Sequence, residues 1–163
     1  MTFKLEIDVA FSMINLQFKG NKIAKFVQNS IVMDMRFHTR KWVKPEDLNP
    51  NSTLFGGRLL AWIDEEIALY AIIQLESPRI VTKHMSEINF RSSAKQGDIV
   101  EIGIDVIKFG NTSLTLMCEV RNMMTKETII TIDTITMVSV GLDGKPQAHG
   151  KTKIEYVEDR LKR

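Results

Sequence analysis

The sequence is poor in cysteine and proline, and it has no long apolar run. Cys118 is the one cysteine among 163 residues, so the chain cannot form an internal disulfide framework. No apolar run approaches the roughly 18 residues that a membrane span needs. The first six residues carry charges where a signal peptide would be apolar. These absences predict a cytoplasmic protein without a membrane span.

The sequence also lacks the patterns of several common functional sites. Its net charge of +2 is too small to predict nucleic-acid binding by itself, and Trp42 and Trp62 form no stacking platform with interleaved basic residues. The histidines His38, His84 and His149 are scattered without metal-ligand spacing. There is no Gly-x-Ser-x-Gly elbow, no P-loop and no dinucleotide fingerprint. We therefore expect no metal, no cofactor and no nucleic-acid partner.

The hydrophobic pattern predicts an α+β fold in one domain. A helix is expected from Phe55 to about Leu75, and residues 67–73 within it are apolar on every side, which is typical of a buried helix. Alternating residues predict one strand before the helix and four antiparallel strands after it, with a β-bulge near Ser86. These strands are expected at about residues 35–41, 80–91, 100–106, 114–120 and 129–140. The sheet should curl round the helix.

Two terminal segments stand apart from this pattern. Residues 1–32 form an N-terminal extension of unknown role, in which alternation suggests a strand. Residues 148–163 form a charged tail, expected as a solvated helix or partly disordered segment. The domain itself is expected to cover residues 33–147.

The most informative stretch is a polar loop that ends in Gly56 and Gly57 and runs into the helix. The loop offers side chains that could cap the helix, and glycines let a ligand approach bare backbone. A helix N-terminus presents unpaired N–H groups and partial positive charge. The acids Asp64, Glu65 and Glu66 follow two turns later, and one could serve as a base. Oxyanion donors beside a base indicate acyl hydrolysis, but spacing alone cannot choose among the three acids.

A motif distributed over the domain resembles the hotdog-fold acyl-CoA thioesterases, in particular their YciA-like and cytosolic acyl-CoA hydrolase (BACH-like) branch. The resemblance covers about residues 33–147 and implies a single hotdog domain, with a long central helix wrapped by a curved antiparallel sheet. Ser52 and Ser93 depart from it, standing where glycine and proline are usual. The motif comprises Asn49-Pro50-Asn51-Ser52-Thr53-Leu54-Phe55-Gly56-Gly57, then Asp64, Thr82, Phe90, Gly97-Asp98 and Gly110-x-x-Ser113.

The resemblance also implies roles for individual residues. It selects Asp64 as the catalytic acid, acting as general base or as a nucleophile that forms an anhydride. It implies that the Gly57 backbone N–H polarises the thioester carbonyl and that Asn49 orients the attacking water. We expect Asp64 to be buried, as its apolar helical neighbours suggest. The implied substrate-binding residues are Asn51, Phe55, Gly56, Thr82, Lys83, Ser86, Arg91, Gly110, Asn111, Thr112 and Ser113.

Coenzyme A carries phosphates, which basic side chains would recognise. The candidates are Lys83, Arg91, Lys95, Lys108 and Arg121, although each is more commonly an ordinary surface charge. The polar turn at residues 110–113 is by itself a hairpin turn. By resemblance it lies near the nucleotide or pantetheine arm, often across a subunit boundary.

The expected function is therefore hydrolysis of acyl-CoA to free acid and CoA, which is substrate rather than cofactor. A non-catalytic acyl-CoA sensor on the same fold is the alternative, and it would not need Asp64. A hotdog dehydratase would need a histidine in the loop or helix, and neither contains one. Unpaired sheet edges and the resemblance predict self-association as a dimer, and as a trimer of dimers.

Overall fold

A computed structural model describes residues 35–155 of the chain. The predictions for residues 1–32 and for the end of the charged tail therefore lie outside the described residues. Six strands and one long helix make up the described part. They are β1 (Arg36–Trp42), a short 3-10 turn (Pro45–Asp47), α1 (Gly56–Leu75), β2 (Ile80–Met85), β3 (Ile88–Phe90), β4 (Ile99–Phe109), β5 (Ser113–Asn122) and β6 (Thr128–Ser139).

The strands form one antiparallel sheet in the order β1-β4-β5-β6-β2, and β3 also pairs with β6. Strands β4, β5 and β6 are consecutive hairpin partners, as their clean apolar alternation predicts. The predicted α+β hotdog architecture, with one long helix and one antiparallel sheet, is confirmed.

The helix α1 buries one face against the sheet. Its buried side chains include Leu59, Ile63, Ile67 and Ala71, which recur every four residues and so form one stripe. The opposite side is open, and Leu69 is 48% exposed. The prediction of a helix buried on every side is wrong for the described chain, because a single sheet covers only one side. No helix within residues 35–155 combines the length and the apolar character of a membrane span.

The predicted strand over residues 80–91 is two strands rather than one with a bulge. Both β2 and β3 pair with β6, and the break between them falls at Ser86. There the backbone N–H of Ser86 donates to the Thr134 carbonyl at 2.8 Å, and the Ser86 hydroxyl accepts from the Thr134 N–H at 3.0 Å. Since the side chain replaces a backbone acceptor, the ladder stops and restarts after Ser86. Five strands therefore follow the helix, not four.

Strand β1 contains an irregularity that the sequence pattern did not predict. Its register with β4 shifts between Phe37 and Thr39. As a result Thr39 faces α1, where its hydroxyl donates to Glu66, whereas Phe37 faces the opposite side and stacks with Arg121. The predicted strict alternation through β1 is therefore wrong at His38, whose ring lies 5.4 Å from that of Tyr70 on the helix.

Candidate active site

The loop before α1 is folded as a small hairpin. Leu48 bridges to Leu54, the Asn49 N–H donates to the Thr53 carbonyl at 2.8 Å, and the Phe55 N–H donates to the Asp47 carbonyl at 2.8 Å. Two contacts fix this hairpin on the domain: the Leu54 N–H donates to the Ala94 carbonyl at 2.8 Å, and Thr53 bridges to Lys95. The loop is thus a rigid entry to the helix.

Asn49 shapes the turn of this hairpin. Its Oδ1 accepts from the N–H groups of Asn51 at 2.8 Å and Thr53 at 3.3 Å, and its Nδ2 donates to the Thr53 hydroxyl at 3.0 Å. These are the local bonds by which asparagine commonly stabilises turns. Its role in orienting water stays a prediction, and so does substrate binding by Asn51.

The start of α1 has no side-chain cap. The N-cap residue is Phe55, which cannot accept a hydrogen bond, and the first turn contains no acidic residue. The expectation that the loop caps the helix is wrong, because the Asn49 and Thr53 side chains bond to each other instead. The amides at the helix start therefore lack the side-chain acceptor that usually satisfies one of them.

Two phenylalanine rings flank these amides and explain both glycines. A Cβ on Gly57 would lie 2.7 Å from the Phe55 ring, and a Cβ on Gly56 would lie 3.2 Å from the Phe90 ring. The rings themselves are 56% (Phe55) and 53% (Phe90) exposed. The glycines thus permit close approach of both rings and keep the backbone at the helix start open.

Asp64 carries an exposed carboxylate on the next part of the helix. Its Oδ1 accepts a hydrogen bond of 2.6 Å from the Thr82 hydroxyl on β2. Within residues 35–155 its Oδ2 makes no hydrogen bond. The expectation of a buried Asp64 is wrong for the described chain, since this side chain points to the open side of α1. Asp64 and Thr82, both picked from the sequence, are brought together.

The three acids Asp64, Glu65 and Glu66, among which sequence spacing could not choose, have different partners in the structure. Glu66 accepts from the Thr39 hydroxyl at 2.6 Å and pairs with the Lys41 ammonium at 3.1 Å. Glu65 lies 3.9 Å from the same ammonium, and its side chain is 61% exposed. Glu66 thus ties the helix to β1, whereas Asp64 faces β2 and keeps one oxygen open.

The predicted phosphate-binding cations do not all remain available. Arg121 pairs with Glu101 at 2.7 Å and lies over the Phe37 ring at 3.5 Å, which assigns it a structural role. Lys83, Arg91, Lys95 and Lys108 are exposed. Ser86, which was predicted to bind substrate, uses its hydroxyl in a hydrogen bond from the Thr134 N–H at the break between β2 and β3.

The turn at residues 110–113 joins β4 to β5 and is hydrogen-bonded to the end of β6. Its Thr112 carbonyl accepts from the Ser139 N–H at 2.9 Å, and the Ser139 hydroxyl lies 3.3 Å from that of Ser77, just beyond the end of α1. The Gly110 N–H closes the turn on the Ser113 carbonyl at 2.7 Å. Because Ser113 and Val81 both pair with Val138 of β6, this turn, which includes Asn111, lies two strands away from the part of β2 that carries Thr82.

An ion pair at the helix start was not predicted from the sequence. Arg58 in the first turn of α1 lies 3.2 Å from Asp47, whose carboxylate also accepts from the Lys44 N–H at 3.0 Å. Pro45 followed two residues later by an acid is a start signal of a helical turn, and it could have identified Asp47. Nothing local signals its pairing with Arg58.

Cys118 is a core residue, as predicted. It is 2% exposed, and burial, with a smaller contribution from the charge of Glu119, raises the pKa of its thiol to about 12. A neutral buried thiol is inert as a nucleophile. Among residues 35–155, no group of three or more His, Cys, Asp or Glu side chains is placed to hold a metal ion.

The sequence is similar to those of thioesterases. The family model of the thioesterase superfamily matches residues 51–128. An uncharacterized acyl-CoA thioester hydrolase of Buchnera aphidicola is 33% identical over 81 residues, which are 50% of this chain and 59% of that protein. The chain spans less than two thirds of the length of the curated relatives that it matches.

Solved structures show the same likeness. A crystal structure of an apo hexameric acyl-CoA thioesterase is 36% identical with a TM-score of 0.61, over 68% of this chain and 72% of that one. The acyl-CoA hydrolase of Staphylococcus aureus, solved with butyryl-CoA and CoA, is 28% identical with a TM-score of 0.61, over 68% of this chain and 66% of that one. Variants of that hydrolase with one Asp, one Asn or one Thr replaced by Ala have also been solved.

Proposed function

Because this chain belongs to the hotdog-fold acyl-CoA thioesterase family, we propose that it hydrolyses acyl-CoA thioesters to a free acid and CoA. The observation that carries this proposal is the pairing of an uncapped helix start with a carboxylate that has one open oxygen. Gly56 and Gly57 supply amides for an oxyanion, and Asp64 supplies a base whose orientation Thr82 fixes.

The reaction proceeds through water. Asp64 Oδ2 takes a proton from a water molecule, whose oxygen attacks the thioester carbonyl carbon. The negative charge that develops on the carbonyl oxygen is held by the Gly57 N–H. When this intermediate collapses, the C–S bond breaks and the sulfur leaves with the proton from Asp64. Direct attack by Asp64 to form an anhydride is the alternative mechanism. Incorporation of ¹⁸O from labelled water into the Asp64 carboxylate after turnover would support it.

The direction of the helix amides favours sites shared between two copies of the chain. N–H groups at a helix start point out of its N-terminal end, whereas Asp64 lies seven residues, or about 10 Å, toward the other end. An oxyanion on Gly57 is therefore on the far side from Asp64 of the same chain. We propose that each site combines the helix start of one copy with Asp64 of another. Hexameric relatives support self-association.

The spacing of residues in the Staphylococcus aureus hydrolase supports the same site. The Asn and Asp replaced there stand 15 positions apart, as Asn49 and Asp64 do here. The replaced Thr follows that Asp by 17 positions, and Thr82 follows Asp64 by 18. The equal Asn-to-Asp spacing supports site roles for Asn49, acting from the hairpin turn, and for Asp64, and the role of Thr82 rests on its hydrogen bond to Asp64.

Substrate contacts follow from the same arrangement. The exposed Phe55 and Phe90 rings provide apolar surface beside the amides for the acyl or pantetheine part. Exposed lysines and Arg91 would meet the phosphates, so substrate affinity should fall as salt rises. We propose that no metal or cofactor takes part, and that activity persists with a chelator.

Release of free thiol from acyl-CoA of short, medium and long chains tests the proposal. The buried Cys118 thiol gives this assay little background from the protein. Asp64→Asn keeps the shape but cannot take a proton, so kcat should fall about 10²–10⁴-fold with CoA binding little changed.

Glu65→Gln is the matched control, one residue further along the helix and exposed, and it should keep near-normal kcat. Equal loss in both variants would contradict the assignment of Asp64. Absence of thiol release from the wild-type protein at every chain length, with CoA still bound, would favour the sensor.

A further inference from the structure

We propose that Asp47 and Arg58 form a positioning pair that holds the oxyanion-binding turn of α1 on the hairpin that carries Asn49. This inference rests on the proposed function. Neither residue reaches the reacting atoms in the proposed reaction, so both act through the backbone that they hold.

Asp47 is the anchor of this pair. Its Oδ2 accepts from the Lys44 N–H at 3.0 Å, its Oδ1 lies 3.2 Å from Arg58 Nε, and its carbonyl accepts from the Phe55 N–H at 2.8 Å. One residue thus binds the turn before the hairpin, the N-cap of α1 and the first turn of α1. Its side chain is only 7% exposed, so the carboxylate depends on these partners.

The charge of Arg58 is unusual for its place in the helix. A cation in the first turn opposes the partial positive charge of the helix N-terminus. The carboxylate of Asp47 compensates for both positive charges. Since no side chain caps this helix, the Asp47–Arg58 pair is a side-chain tie between the helix start and the preceding hairpin.

The pair adjoins both groups that the proposed reaction needs in register. Asn49 follows Asp47 by two residues, and Gly57 directly precedes Arg58. Oxyanion donors work only within about 2.7–3.1 Å of the developing charge, and a misplacement of about 1 Å can cost about 10²-fold in rate. Loosening the pair should therefore slow the chemical step without removing a substrate contact.

Arg58→Gln tests the pair, with Arg58→Lys as the conservative variant. We expect Arg58→Gln to lower kcat about tenfold with KM nearly unchanged, and Arg58→Lys to retain most of kcat. Lys145→Gln is the control, because Lys145 forms a looser ion pair of 3.8 Å with Asp143 in which both side chains are exposed. It should leave kcat and KM unchanged.

Amide hydrogen exchange at Phe55 and Leu59, whose N–H groups donate to the Asp47 and Phe55 carbonyls, provides a readout that does not depend on activity. Arg58→Gln should exchange these amides faster than the wild type, whereas Lys145→Gln should not. An unchanged kcat in Arg58→Gln, or a rise in KM alone, would overturn the proposal, since the latter makes Arg58 a substrate contact. If the wild-type protein proves inactive, the proposed function fails, and unchanged exchange at Phe55 and Leu59 would then still overturn the pair.

Discussion

Ser52 has a backbone conformation that glycine adopts more easily. Its φ is +58°, in the left-handed region, at the tip of the hairpin before α1. Ser52 also departs from the hotdog acyl-CoA thioesterases that the chain resembles, which usually have glycine at this position. The structure supplies the reason, since a side chain in this region costs about 1 kcal/mol or more.

Ser52→Gly should therefore stabilise the protein. We expect the free energy of unfolding to rise by about 0.5–1 kcal/mol, because relief of strain outweighs the added freedom of the unfolded chain. Urea denaturation measures this change. Ser93→Gly is the comparison, because Ser93 has no positive φ, and it should give no gain. A Ser52→Gly protein no more stable than the wild type would show that the hairpin accommodates Ser52 without strain.

Glu101 is the most enclosed carboxylate in the described chain with several cationic partners. Its side chain is 3% exposed and lies 2.7 Å from Arg121, 2.9 Å from Lys126 and 3.8 Å from Arg40. Burial by itself raises the pKa of this carboxyl, but hydrogen bonds from Lys126 and Arg121 hold the pKa below its usual value. The cluster joins β1, β4 and β5 on the side of the sheet that faces away from α1.

Glu101→Gln should lower the free energy of unfolding by about 2 kcal/mol at neutral pH. A carboxyl with a lowered folded-state pKa contributes stability above its unfolded-state pKa, and this contribution is lost as pH falls through the folded-state pKa. The difference between wild type and variant should therefore shrink below about pH 4. Chemical denaturation over a pH series measures it, with the exposed Glu46→Gln as control. A difference that stays constant down to pH 2 would contradict a charge-based role.

At the scale of elements, the local sequence pattern predicted the helix and the long strands better than it predicted the irregularities in the strands. The apolar run identified α1, and alternation identified β4, β5 and β6, because each depends on periodicity within one segment. The local pattern located an irregularity near Ser86 but predicted a bulge, because the break there depends on Thr134 of the neighbouring strand. The register shift at His38 likewise depends on pairing with β4, which no local pattern contains.

The candidate site likewise combines residues that a local sequence pattern identifies with residues that distant strands bring to it. The loop and the glycines were readable as a contiguous motif, whereas Asp64 and Thr82 came from the resemblance. The separation of Asp64 from Glu66 required the positions of β1 and β2, which supply Thr39 and Thr82. The burial expected for Asp64 failed because apolar helical neighbours do not reveal which side of a helix a sheet covers.

The segment at residues 148–155 packs on the domain, where a solvated helix or a partly disordered segment was expected. His149 joins it to the 110–113 turn, since its N–H lies 3.2 Å from the Asn111 carbonyl and its Nε2 lies 3.2 Å from the Ser113 carbonyl. Its Nδ1 accepts from the Lys151 N–H at 3.0 Å, which assigns the ring proton to Nε2. Further on, the Glu155 N–H donates to the buried Gln74 side chain on α1.

His149→Ala should release this segment and the turn together. We expect a loss of about 1–2 kcal/mol in the free energy of unfolding, because the side-chain bonds at Nδ1 and Nε2 are removed. Hydrogen exchange followed by mass spectrometry should show faster exchange at residues 110–113 and 148–155. Lys153→Ala, at an exposed position of the same segment, serves as control. Faster exchange in the segment alone would mean that His149 does not hold the turn.

At the scale of the whole molecule, the sheet of the described residues ends in β1 on one side and β2 on the other. An open strand edge is a site for pairing with another chain. Thr82, the partner of Asp64, lies on β2. Association along this edge would bring the helix start of a second copy toward Asp64, as the proposed shared sites require.

Mixing of two inactive variants tests shared sites. Asp64→Asn removes the base, and Gly57→Ala places a methyl group against the Phe55 ring at the oxyanion amide. Randomly mixed dimers should regain about a quarter of the wild-type sites, because half of them are hybrids with one intact site each. Thiol release before and after joint refolding measures the recovery. No recovery from a mixture confirmed by light scattering to contain hybrids would place each site within one chain.

The missing cap at Phe55 has a consequence for engineering. Thermostabilisation commonly begins with helix caps, and Phe55→Asp would supply one worth about 1 kcal/mol. The new carboxylate would accept hydrogen bonds from the same amides that the oxyanion needs. It would therefore compete with the transition state for these donors. We expect this variant to melt at a higher temperature and to turn over more slowly. Selection for heat resistance alone would therefore favour a sequence in which the proposed activity is lower.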